Sequence, residues 1–182
     1  KKELFDGLPD EYSRLYMAIE NELAAVICIE DPIREEAADI IKKLKEAGIK
    51  KAVMMTGDSE RTAKAVAAKI GVDEYYSEVL PEDKAKFVEK EKSLGHKVIM
   101  VGDGINDSPA LSAADVGIAI SDGAELAREI ADVTVEGNDL YELVALKHIS
   151  NALMKRIHKN YRMIMGINST LIVLGVAGII PP

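Results

Sequence analysis

The chain has 182 residues, 48% hydrophobic and 30% charged, an ordinary globular composition that does not suggest disorder, and its one cysteine and three scattered histidines exclude a disulfide framework and a His/Cys metal cluster. All 31 acidic residues lie at or before Glu142, and five of the 23 basic ones follow it. Residues 1–142 therefore carry 18 basic against 31 acidic (−13), the tail carries +5, and the whole chain −8. A body this acidic argues against a nucleic-acid partner.

Residues 1 to 13 are polar, with Gly7 and Pro9, and read as a connection. The chain opens Lys1-Lys2-Glu3 without a methionine or an apolar signal stretch, so its start reads as an interior cut in a longer protein. Arg14 to Glu20 and Leu23 to Ile29 are extended runs around Glu20-Asn21-Glu22, a predicted hairpin. Cys28, inside the apolar run Ala24 to Ile29, is expected to be a small core residue. Pro32, after Glu30-Asp31, suits the first turn of a helix. That helix carries Ile33, Ala37, Ile40, Ile41, Leu44 and Ala47 on one face and stops at Gly48.

Ala52 to Met55 is a short apolar strand ending at Thr56-Gly57-Asp58, followed by a helix with Ala63, Val66, Ala67 and Ile70 inward and Gly71 as its stop. The unit repeats. Glu74 to Val79 is a strand, Pro81 opens a helix ending at Gly95, and Lys97 to Val101 is a strand whose β-branched run predicts burial on both faces. Then come Gly102-Asp103-Gly104-Ile105-Asn106-Asp107, a short helix near Pro109 to Ala114, a strand at Val116 to Ile120, a helix near Ala124 to Ile130 and a strand at Asp132 to Val135. Strand and helix alternate throughout, which predicts a doubly wound α/β domain with a parallel sheet covered on both faces. Ligands of such sheets sit beyond the carboxyl ends of the strands, so Asp31, Thr56 to Asp58 and Asp103 to Asp107 are expected to converge on one edge.

From about Leu140 the chain reads as one long helix through Tyr161, and Met163 to Ile180 then holds 18 residues without a charge. At about 1.5 Å per residue this is roughly 27 Å, enough to cross a bilayer. Lys155, Arg156, Lys159 and Arg162 precede it and put that side in the cytoplasm. The alternative is a buried core helix, which Asn168-Ser169-Thr170 favours. The chain stops at Pro181-Pro182, and a lone span at its end reads as a second cut.

Asp103 and Asp107, four residues apart among glycines, are costly to crowd together unless a cation neutralises them, and hard oxygen ligands suit Mg²⁺. The alternative is an ordinary Asp/Gly/Asn turn. Magnesium-assisted phosphoryl transfer also needs donors for the phosphoryl oxygens, which Thr56 and the Gly57 amide can supply, and a fixed cation. Lys84 is the candidate cation, against the alternative of one more surface lysine. Asn106 adds a neutral amide.

Asp31-Pro32, Thr56-Gly57-Asp58, Pro81-Glu82-Asp83-Lys84 and the run Gly102 to Leu111 resemble, in order and spacing, the phosphorylation domain of P-type cation-transporting ATPases, most closely the heavy-metal (class IB) branch. The resemblance runs from about residue 14 to 182. It implies a haloacid-dehalogenase-like fold, an aspartyl-phosphate cycle, ATP as substrate and Mg²⁺ as cofactor. Asp103 would ligate Mg²⁺ with Asp107 beside it and bonded to Lys84, and Lys84 would meet the phosphoryl group. Thr56, Gly57 and Asp58 would hold phosphoryl or nucleotide oxygens, Asn106 would order the network, and Asp31 with Pro32 would form a hinge toward a nucleotide-binding domain. Asn168, Ser169 and Thr170 are either transported-metal ligands or hydrogen-bond partners for a neighbouring helix.

The family's phosphoacceptor stretch, Asp-Lys-Thr-Gly-Thr, is absent from these 182 residues. The expected division is therefore a connection and the end of a nucleotide-binding hairpin (1–30), the rear of the phosphorylation domain (31–145), and a basic helix with a membrane span (146–182). The partners implied are the upstream nucleotide-binding, actuator and transmembrane parts, membrane lipid and a heavy-metal cation, at the cell membrane with residues 1 to about 160 cytoplasmic. Two other readings compete: a soluble Mg²⁺-dependent phosphatase of the same superfamily, and an inactive truncated product.

Overall fold

A computed structural model of the chain describes residues 12–29, 32–103, 106–120, 129–136 and 139–179. The expectations for residues 1–11, Asp31, Gly104, Ile105, the 124–128 part of a helix and Pro181-Pro182 lie outside the described residues.

Strands β1 (Ser13–Ile19) and β2 (Glu22–Ile29) pair antiparallel, with a register shift between Met17 and Ala18. Glu20 (φ 50°) and Asn21 (φ 64°) make the two-residue turn, both in the left-handed region that a type I′ hairpin requires. Leu15, Tyr16, Met17, Ile19, Leu23, Ile27 and Ile29 are exposed, and Cys28 is half-buried. The expected core position for Cys28 is thus corrected: the hairpin is a separate two-stranded sheet with little packed over it.

Helix α1 (Ala37–Glu46) begins five residues after Pro32, later than expected. Its N-cap Glu36 already has helical backbone and offers no side-chain cap, and the Ala37 N–H closes a preceding turn on the Arg34 carbonyl at 3.1 Å. Strand β3 (Val53–Met55) leads to α2 (Glu60–Ile70), which starts at Ser59, whose hydroxyl accepts from the Thr62 N–H, and ends at left-handed Gly71. Strand β4 (Glu74–Tyr76) is shorter than the expected run to Val79, because Glu78 turns into the left-handed region (φ 53°) and gives its N–H to the Asp58 carbonyl. Next come α3 (Pro81–Ser93), β5 (Ile99–Gly102), α4 (Ser108–Ala113), β6 (Val116–Ile120), β7 (Val133–Val135) and α5 (Tyr141–Val176).

Strands β3 and β4 pair in parallel, as do β5, β6 and β7 in that order, and among the described residues no ladder joins the two sheets. The expected single sheet is in this respect divided. One face of the three-stranded sheet is covered by α3 and α4, whose Val88, Ala110 and Leu111 pack with Met100 and Ala119; on the other face Ile118 of β6 and Val135 of β7 pack with Leu143, Leu44 and Leu146 of α5 and α1. Burial of β5 on both faces does not hold. Met100 is 8% exposed, but Ile99 is 44% and Val101 38%, because among the described residues no element packs on their face of this edge strand.

A carboxylate recurs at the amino ends of the strands. Asp73, just before β4, accepts the Ala52 N–H just before β3 at 2.7 Å; Asp115, just before β6, accepts the Val98 N–H just before β5 at 2.9 Å. Asp132, just before β7, accepts the Gly117 N–H of β6 at 2.8 Å. In each pair the later strand pins the start of its neighbour, which fixes the register.

Helix α5 docks by its first turns: Leu143 and Val144 are buried, the Tyr141 hydroxyl donates to Asp39 at 2.8 Å, and the Asn151 amide donates to the Ala47 carbonyl at the end of α1 at 2.7 Å. Farther on nearly every side chain is exposed. The helix ends at Val176, where the Gly178 N–H bonds to Gly175, the Ile179 N–H bonds to Leu174, and Gly178 is left-handed (φ 71°). The charge-free helical part, Met163 to Val176, is roughly 14 residues or ~21 Å, short of a ~30 Å hydrocarbon core. Among the described residues no helix is long and apolar enough to cross a membrane; the helix expected to run through Ile180 ends at Val176.

Candidate functional site

The loops after β3, β4 and β5 all leave the carboxyl ends of parallel strands. After β3, Thr56 is half-buried, and Gly57 and Asp58 are exposed. The Thr56 hydroxyl donates to an Asp58 carboxylate oxygen at 2.6 Å and accepts the Asp58 N–H at 3.1 Å. The neighbouring loop zips onto this turn: the Thr56 N–H reaches the Tyr76 carbonyl, and Val79 and Glu78 return their N–H groups to the Thr56 and Asp58 carbonyls, at 3.0, 3.0 and 2.9 Å. This zipper fixes the loop that enters α3.

Pro81 begins α3, and Lys84 lies in its first turn. Its ammonium donates to Asp107 Oδ1 at 2.7 Å, with the two side chains 15% and 13% exposed. Lys84 is therefore not a surface lysine. A pair so shielded from solvent is held more strongly than an exposed ion pair, and losing either partner strands the other charge. Asp107 is the N-cap residue of α4, which the Leu111 and Ala110 side chains hold on the sheet. Asp103 follows β5, exposed, with one carboxylate oxygen accepting the Asn106 N–H at 3.2 Å.

The structure thus joins Lys84 to Asp107, Asp103 to Asn106, and Thr56 to Asp58. Met55, beside Thr56, packs on the cluster that holds α3 and α4. Pro32 is exposed. In α5 the Thr170 hydroxyl donates to the Gly166 carbonyl of its own helix at 2.8 Å, and Asn168 and Ser169 are exposed. Among the described residues no three His, Cys, Asp or Glu side chains gather to hold a metal. The donors beside β5 are carboxylates of two residues, which suits Mg²⁺, an ion that keeps several waters and takes one or two carboxylates with phosphate oxygens.

Sequence reasoning missed two residues beside this edge. Glu78 bridges the loops through its main chain, signalled only by its place between a strand and the Pro81 helix start. Glu60, at the start of α2, accepts the Ser77 and Tyr75 hydroxyls at 2.5 and 2.7 Å. Those two bonds, Ser77 first, hold its carboxyl below the usual range.

Residues 1–115 match the family model described as haloacid dehalogenase-like hydrolase. The chain is similar to the manganese-exporting P-type ATPase of Mycobacterium leprae (strain TN), 40% identical over 92% of this chain and 23% of that protein. It is also similar to the silver exporting P-type ATPase of Salmonella typhimurium, 45% identical over 80% of this chain and 18% of that protein. Among solved structures, a zinc-transporting PIB-type ATPase in its E2.Pi state superposes with a TM-score of 0.77 at 33% identity, over 94% of this chain and 28% of that one. The chain spans about a fifth to a quarter of the length of the curated relatives it matches.

Proposed function

The chain belongs to the haloacid dehalogenase-like hydrolase family, and we propose that it is the rear part of the phosphorylation domain of an ATP-driven heavy-metal cation transporter. It supplies the Mg²⁺ and phosphate half of an aspartyl-phosphate site. The observation that carries this reading is the shielded Lys84–Asp107 pair, with the exposed Asp103 carboxylate four positions before Asp107 at the end of β5. Asp103 would hold Mg²⁺, with Asp107 beside it, and an ion held there would supply charge neutralisation for the transferring phosphoryl oxygens. Lys84, held by Asp107, presents a fixed ammonium to the same group. Thr56, Gly57 and Asp58 take phosphoryl or nucleotide oxygens, the Thr56 hydroxyl leaving Asp58 to do so, and Asn106 steadies Asp103.

The phosphoacceptor is an aspartate from outside these residues. Its carboxylate attacks the γ-phosphorus of ATP, the bond to ADP breaks, and water later hydrolyses the acyl-phosphate. The separation of the β3–β4 and β5–β6–β7 sheets among the described residues, with β5 at the edge of its sheet, supports insertion of a further strand there. The exposed apolar hairpin likewise supports residues 1–30 as the end of a nucleotide-binding region, with 31–145 as the phosphorylation domain, 146–182 as the approach to the membrane, and Asp31-Pro32 as the hinge. Lys155 to Arg162 lies at the cytoplasmic headgroups, and the exposed apolar residues beyond meet lipid or other helices of the whole protein. Asn168 and Ser169 are candidates for the path of the metal.

The experiment joins this chain to the remainder of the whole protein, by co-expression, and supplies radiolabelled ATP with Mg²⁺. Hydroxylamine-labile label is expected on an upstream aspartate and is lost in Asp103→Asn. Normal labelling in that variant refutes the assignment. A second reading, a soluble Mg²⁺-dependent phosphatase, is favoured only by the shortness of the apolar part of α5. It predicts phosphatase turnover by this chain alone.

A further inference from the structure

We infer that Gly102 is a positioning residue: it and Gly117 form a two-point seat for α4 that sets Asp107 against Lys84. The inference rests on the phosphoryl-transfer reading only for its meaning in catalysis, since the geometry stands by itself. In the β5–β6 ladder Met100 pairs with Gly117, and Gly102 with Ala119. Side chains alternate along a strand, so these four positions share one face. Met100 and Ala119 identify it as the face beneath α4, where they pack with Ala110 and Leu111.

Neither glycine has a positive φ, unlike Gly48, Gly71, Gly95 and Gly178, so backbone freedom is not what either position needs. Both need space. A Cβ at Gly117 would lie 2.7 Å from the Leu111 carbonyl oxygen and 3.2 Å from its carbon, which are main-chain atoms of α4. A Cβ at Gly102 would lie 2.6 Å from Asp107 Cβ and 2.9 Å from Cγ, and would overlap Oδ2. Rotating the Asp107 side chain does not relieve a clash with its own Cβ. The main chain at the start of α4 must move, and Gly117 holds the other end down. An alanine at position 102 therefore lifts Asp107 away from Lys84, which is 2.7 Å from it in the native arrangement.

The test uses the whole chain and measures denaturation midpoints of K84M, D107N and the double variant, in the native background and again in G102A. The expected result is a coupling between Lys84 and Asp107 that is present in the native background and lost in G102A. A glycine needed only for packing lowers every midpoint and leaves the coupling unchanged, which overturns the inference. Should G102A fail to fold, G102A/D107G decides: restored folding supports the seat, because the obstructing side chain is gone, and no restoration refutes it. Mg²⁺ titration gives the functional arm, with affinity expected to fall roughly 10–100-fold in G102A. Absence of Mg²⁺ binding by the native chain counts against the phosphoryl-transfer reading, while the midpoint cycle still decides the glycine.

Discussion

Lys84 and Asp107 are 23 positions apart and meet at 2.7 Å with little solvent around either. Replacing Lys84 by alanine leaves a shielded carboxylate without its cation. The expected cost is about 2 kcal/mol, read from urea unfolding of this chain. In the complete protein the same variant is expected to fold and to lose phosphoryl transfer severely, measured as acyl-phosphate formed from labelled ATP. Near-normal turnover would make the pair structural only. The sequence offered Lys84 as one lysine of many, and its distinction lies in company that sequence spacing does not express.

The three aspartates at the amino ends of the strands act at the scale of elements, each tying one strand to the next. The Ala52 N–H, then Lys45, hold the Asp73 carboxyl below the ordinary carboxylate range, and Lys97, then the Val98 N–H, do the same for Asp115. Because the folded values are lowered, the stability they contribute is present above the unfolded value of about 3.9 and is lost as pH falls through the folded values. Unfolding midpoints should therefore hold from neutral pH to about 5 and drop below about 4. Asp115→Asn should flatten that acid limb and speed hydrogen exchange of the Val98 amide. A limb as steep as the native one would show that other carboxylates carry it. The hairpin turn, Pro81 and the helix stops at Gly71 and Gly95 were legible because each is set by torsions within a few residues. The shortening of β4 was not, because Glu78 turns to meet a carbonyl 20 positions away.

At the scale of the molecule, an α/β body is joined to a helix whose far half has almost no intramolecular cover. Contact between the two runs through Leu143, Tyr141 and Asn151. Asn151→Ala is expected to cost about 1 kcal/mol, by loss of its bond to the Ala47 carbonyl, and is checked by urea denaturation. A chain ending at Asn160 should keep the native unfolding free energy within about 0.5 kcal/mol, since the residues removed are exposed. That shortened chain keeps Lys155, Arg156 and Lys159 but loses Arg162 and the apolar residues after it, and should float with anionic vesicles less than the full chain. Equal flotation of both would assign membrane contact elsewhere.

The alternation of strand and helix, the polar loops at strand ends and the basic lead-in to an apolar tail were all set by local composition and period, so the sequence alone carried the α/β class and its candidate loops. What only the tertiary structure decided was which groups touch: the Lys84–Asp107 pair, the aspartate clamps, the split between the sheets, the exposed face of β5 and the end of the long helix at Val176. Those outcomes depend on side chains and main-chain atoms brought together across many residues, where hydrophobic periodicity gives a surface to bury but no address for its partner.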